Sequence, residues 1–151
     1  MSHQEKNISA SLVTSTLILG YYLIRILNMI STESLISTKL FRLWGIVIVL
    51  TIFGTIITTI FTHIFSAIFH AIKTGDDDPK IEDLQDERDK LIDLRGTKVT
   101  FIVFSSGVAL SMLAFVLGQP ALVMFSLLIF FGIFAQVIGD ISRLVLYRRG
   151  F

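Results

Sequence analysis

Two stretches of this chain, residues 43–72 and 99–139, contain no Lys, Arg, Asp or Glu at all. A hydrocarbon core of about 30 Å takes about 20 apolar residues at a rise of 1.5 Å each, so either stretch is long enough to cross a bilayer. The second contains Gly118, Gln119 and Pro120, a turn signal with room only for a tight helical hairpin, and so reads as two spans. A further apolar run surrounds Arg25, whose long side chain lies close enough to the helix exit to reach the headgroups. Charged residues make up 17% of the chain, against about 25% in an ordinary soluble domain.

The expected fold is therefore an all-α membrane protein, a four-helix transmembrane bundle in a single integral membrane domain over residues 1–151. Its spans fall at about 8–30, 43–72, 99–117 and 121–147 by hydropathy and turn signals. The second, 30 residues without a charge, is roughly 45 Å of helix and must tilt or project, with projection expected beyond His63. Trp44 beside Arg42 reads as an interfacial anchor. The N-terminal segment is expected to stay in the mature protein, because Lys6 is its only basic residue before a long apolar run and no small-x-small cleavage site follows.

Residues 73–98 form the one hydrophilic connector. Asp78 followed by Pro79 suits a helix start, Ile81, Leu84, Leu91 and Leu94 recur at near-helical spacing, and Gly96 offers a stop. The pattern predicts a short amphipathic cytoplasmic connector helix between helices 2 and 3. With four spans, ten Lys and Arg fall on the side of the termini and connector and three on the other. Positive charge concentrates on the cytoplasmic side of inner membranes, so both termini are expected in the cytoplasm of a multi-pass protein of the cell inner membrane.

Helix 2 carries Thr51, Thr55, Thr58, Thr62, Ser66 and His70 at three- or four-residue steps, with His63 on the same side. Imidazoles titrate near neutrality and ligate metals, and Asp140, one turn after Gln136, can supply oxygen. His63, His70 and Asp140 are thus a candidate metal or proton site, weighed against hydroxyls that simply bond their own backbone and an Asp140 paired with Arg143 at i,i+3. Asp76 to Asp78 lack the ligand spacing of a calcium loop. Phosphate loops, nucleophile elbows and haem attachment sequences are absent, and the chain has no cysteine. No cofactor, no enzymatic activity and no direct contact with nucleic acid are expected.

The run Asp86-Glu87-Arg88-Asp89, with Ile92 three residues on, and the ending Leu146-Tyr147-Arg148-Arg149-Gly150 resemble a family of uncharacterised small four-helix integral membrane proteins of bacteria and archaea. The likeness covers residues 86–150; the first two spans agree only in hydropathy. Members of this kind are thought to accompany small helix-turn-helix transcription regulators, so the resemblance implies membrane sensing or regulation. Asp86, Glu87, Arg88, Asp89, Arg148 and Arg149 would then form a docking surface for a cytoplasmic regulatory protein. That non-enzymatic sensor or scaffold role is the first functional expectation. The alternative is a small transporter or channel for an ion, metal or proton, using the polar stripe of helix 2 with Asp140. A four-helix protomer is thin for a pathway of its own, which favours a homo-oligomer within the lipid bilayer.

Overall fold

The computed structural model describes the backbone of residues 3–32, 36–74 and 87–149, with side chains at 4–31, 36–61, 64 and 87–149. These residues form four helices: α1 (His3–Thr32), α2 (Ser37–Thr74), α3 (Glu87–Val116) and α4 (Ala121–Arg148). All four are long and apolar enough to cross a membrane. Continuous helix is what a bilayer demands, because hydrocarbon offers no partner to an unpaired backbone N–H or C=O. Large apolar side chains face outward along every helix, Leu17, Phe61, Phe101 and Val116 among them. In water such a surface would aggregate, whereas lipid covers it. The chain is a multi-pass membrane protein built as a four-helix bundle.

The hairpin between α3 and α4 follows from the expected turn. Gly118 takes φ of +90°, a conformation that a Cβ disfavours. Its N–H bonds the carbonyl of Phe115, and the N–H of Gln119 bonds that of Ala114 at 3.1 Å, the paired closure of a Schellman motif. Pro120 then leads directly into α4.

One boundary differs from expectation. Residues 87–98 are not the closing half of a separate connector helix; they are the first turns of α3, which runs unbroken through Gly96. Glycine inside a helix costs only about 1 kcal/mol against alanine, and here its missing side chain is used. The Arg143 side chain lies where a Gly96 Cβ would be, and Phe131 lies likewise over Gly107. These two positions let α3 and α4 approach closely at both points, in the manner of small-residue interfaces between membrane helices. The expected N-cap at Asp78 and Pro79 lies outside the described residues.

Packing is sequential rather than closed. α3 lies on α4, α4 on α1 and α1 on α2, while among the described residues α2 and α3 share no substantial interface. Ile18, Tyr22 and Ile26 of α1 meet Leu40, Leu43 and Val47 of α2 in the buried core, with Leu122, Ile129 and Ile133 of α4 against them. Tyr22 donates to the Ser126 carbonyl at 2.7 Å, locking α1 to α4 near one end. At the opposite end Ser11 reaches Asp140. Between α2 on one side and α3 with α4 on the other, the bundle is left with a cleft.

Candidate functional site

The cleft widens at the Asp140 end into a cavity of about 620 Å³, within the roughly 300–1,000 Å³ of small-molecule sites. Four helices contribute to its wall. From α4 come Gln136, Asp140, Arg143 and Tyr147, at steps of four, three and four residues that keep them on one helix face. α1 presents Gln4, Asn7, Ser11, Thr14 and Ser15, again at helical spacing; α2 adds Thr51, Thr55, Thr58 and Thr59; and the start of α3 supplies Asp89 and Asp93.

Arg143 organises the wall. Its Nε donates to Asp93 at 2.9 Å, Nη1 to Asp140 at 3.0 Å and Nη2 to the Thr97 hydroxyl at 3.0 Å. The planar guanidinium suits such divergent bonding, which a lysine ammonium does not reproduce. The two carboxylates it holds differ in setting: the Asp140 side chain is 4% exposed and that of Asp93 is 72% exposed. Asp140 also accepts from Ser11 at 2.8 Å and from the Gln136 amide at 3.2 Å. Both its oxygens are thus hydrogen-bonded, as a buried carboxylate requires.

The hydroxyl stripe of α2 faces this cavity in its described part. Thr51, Thr55 and Thr59 donate to the carbonyls four residues back, of Val47, Thr51 and Thr55. Thr14 does the same to Ala10 and lies 3.2 Å from the Thr58 hydroxyl across the α1–α2 contact. A hydroxyl owns one hydrogen and two lone pairs, so each threonine that spends its hydrogen on the backbone shows the cavity acceptor lone pairs. Tyr147 likewise spends its hydrogen on Asp89 at 2.7 Å, and Ser11 spends its own on Asp140. Three carboxylates and one guanidinium, Asp89, Asp93, Asp140 and Arg143, carry the charge of the lining. The wall is therefore negative and rich in acceptors, with three of the five N–H groups of its one guanidinium already engaged.

Comparison with known protein families, curated proteins and solved structures finds no match to this chain. Its site is thus read from its own residues.

The structure gathers some of the sequence candidates and separates others. Asp140 and the threonines at 51, 55 and 58 come together, and Asp140 pairs with Arg143 as the i,i+3 spacing suggested. The side chains of His63, His70, Thr62 and Ser66 lie outside the described residues, as does Asp86. Among the described residues no cluster of three or more His, Cys, Asp or Glu is arranged to hold a metal. Of the docking set, Glu87, Arg88, Arg148 and Arg149 are exposed, although Arg88 also donates to the Tyr147 carbonyl at 3.4 Å, while Asp89 is half-buried and accepts from the Tyr147 hydroxyl. Arg143 also pairs with Asp93 of α3. Sequence reasoning passed over Asp93, Tyr147 and the polar face of α1, although the steps 4, 7, 11, 14 and 15 were a legible stripe.

Proposed function

We propose that this chain is a non-enzymatic membrane protein that takes up a small organic cation, of the primary ammonium type, in the cavity that all four helices line. The single observation behind the reading is the acceptor-rich lining: six hydroxyls, of Ser11, Thr14, Thr51, Thr55, Thr59 and Tyr147, with their hydrogens spent, three carboxylates, and an arginine with three of its five N–H groups engaged. Such a wall complements a ligand that brings its own N–H donors and positive charge, and charge-assisted hydrogen bonds are the strong ones. An anion would meet unpaired lone pairs and like charge. This is the transport alternative, narrowed from ions in general to donor-rich organic cations.

Side and access follow from the charges. The cavity lies at the end holding the N-terminal turns of α1 and α3 and the C-terminal turn of α4, where basic residues concentrate, so it opens to the cytoplasm by the positive-inside rule.

Calorimetry on protein reconstituted in phosphatidylcholine nanodiscs tests the reading with ethanolamine and putrescine, against choline, which has charge but no N–H donor, and acetate. Saturable binding of the two primary amines, weaker by tenfold or more in Asp93→Asn and absent for acetate, is the expected result. Equal binding of amines by wild type and Asp93→Asn, or none by either, overturns it.

A second reading keeps the docking surface, favoured by the exposure of Glu87, Arg148 and Arg149 at one end of the bundle. A crosslinking pull-down comparing wild type with a Glu87→Ala, Arg148→Ala, Arg149→Ala variant tests it. Loss of a reproducible cytoplasmic partner supports docking, and an unchanged set of partners removes it.

A further inference from the structure

The polar cavity is not closed toward the centre of the membrane. Thr51, Gly132 and Ile133 line it and also line a second cavity, a groove of about 510 Å³ that continues along the same cleft. The groove's wall changes character. On α2 it is made by Leu40, Phe41, Trp44, Val47, Ile48 and Ile52, at helical spacing, and it faces Phe104 of α3 and Phe125 of α4. Leu40 and Ile52 are twelve residues apart, about 18 Å of helix rise. One cleft thus passes from a carboxylate-lined, acceptor-rich chamber to an apolar trough of chain length.

From this continuity we propose that the full ligand is a single-chain amphiphile with a primary ammonium head, the head in the chamber beside Asp93 and the tail along the groove toward Trp44. The inference rests on the cation-binding reading above and names its substrate class. Charge complementarity decides the head. A phospholipid with an ethanolamine head carries a phosphate next to its amine, and that phosphate would lie among Asp89, Asp93 and Asp140, with three of the five Arg143 N–H groups already engaged. A fatty acid brings the wrong charge altogether. The tail has an apolar trough that the bundle's own side chains leave unfilled, since among the described residues α2 and α3 share no substantial interface.

Trp44 is the chain's only tryptophan and lies in the groove, so its fluorescence reports on the tail. The protein in phosphatidylcholine vesicles is titrated with a long-chain primary amine brominated near its tail end, with the equivalent brominated fatty acid, and with brominated phosphatidylcholine. Expected is saturable quenching by the amine at a mole fraction at least tenfold below that needed for the acid or the phospholipid. Asp93→Asn removes that preference. Ile48→Phe, which narrows the groove, weakens the amine's effect, whereas Val49→Phe on the neighbouring outward face does not. Equal, non-saturating quenching by all three probes means that bulk lipid alone fills the groove and overturns the proposal. Quenching unchanged by any of the three lipids means that the groove is covered by a second copy of this chain, and overturns it too. Ethanolamine binding measured on the same preparation separates the two readings: if ethanolamine binds while quenching shows no head-group preference, only the amphiphile is wrong, and if neither is seen, both are.

Discussion

The Ser11 hydroxyl donates to Asp140 across 2.8 Å, so the polar N-terminal half of α1 is fastened to the one carboxylate that α4 carries into the bundle. The same carboxylate receives Arg143, which reaches on to α3 through Asp93 and Thr97. Three helices are therefore joined at a single point, and the cavity is the space that this junction and α2 enclose.

Replacing Arg143 by Met should leave Asp140 buried without its cation. Breaking a buried pair in this way costs roughly 3–5 kcal/mol, whereas an exposed pair is worth about 0–1 kcal/mol. Most of the loss should therefore trace to Asp140 and little to Asp93. Reversible unfolding in mixed micelles should show the double variant Arg143→Met, Asp140→Asn recovering much of the stability, since Asn still accepts from Ser11. No recovery would place the energy elsewhere.

Tyr22 is 1% exposed and its hydroxyl donates to Ser126 across α1 and α4. Tyr22→Phe should cost about 0.6–1.7 kcal/mol, the range for hydrogen bonds between membrane helices. Tyr22→Ala also opens a hole in the core and should cost roughly 3–5 kcal/mol. Equal effects of the two substitutions in the same unfolding assay would mean that the ring contributes nothing.

Small residues divide by what lies over them. A Cβ at Gly107 runs into the Phe131 side chain, whereas one at Gly20 meets nothing within 4 Å. Gly107→Ala should destabilise by roughly 1–3 kcal/mol through overpacking, and Gly20→Ala should stabilise by up to about 1 kcal/mol through helix propensity. Opposite signs for these chemically identical changes are the expected readout.

Gly118→Ala tests the hairpin. At φ of +90° an L side chain is strained, and about 1–2 kcal/mol of destabilisation is expected. A change of no more than a few tenths would show that the turn relaxes to another form.

Much of the fold was legible because a bilayer admits so few alternatives. The charge-free runs dictated helices, and Gly118-Gln119-Pro120 dictated the tight turn between α3 and α4. Gly96 was misread as a stop because its meaning is set by a partner 47 positions along the chain, the Arg143 side chain that lies over it. In the site, the spacing of Gln136, Asp140 and Arg143 showed a common helix face. That Asp93 would join them depends on the α3–α4 register, which no local pattern encodes. The threonine stripe was visible in sequence, yet whether it met lipid or a cavity depended on which neighbour packs against α2. That neighbour is α1, and the absence of a packed α3 is what leaves the cleft.

The central claim is that a water-accessible, cation-preferring cavity reaches between the helices to Thr55. The chain has no cysteine, so a single Thr55→Cys gives an unambiguous target, and the lost hydroxyl bonds only its own helix. Inside-out vesicles are treated with a positively charged aminoethyl thiosulfonate and with its negatively charged sulfonatoethyl counterpart, using Ile57→Cys as the outward-facing control. Field focusing by the lining carboxylates should make the cationic reagent at least tenfold faster at Thr55→Cys, with Ile57→Cys unreactive to both. Equal rates for the two reagents, or reaction at Thr55→Cys no faster than at Ile57→Cys, would contradict the account.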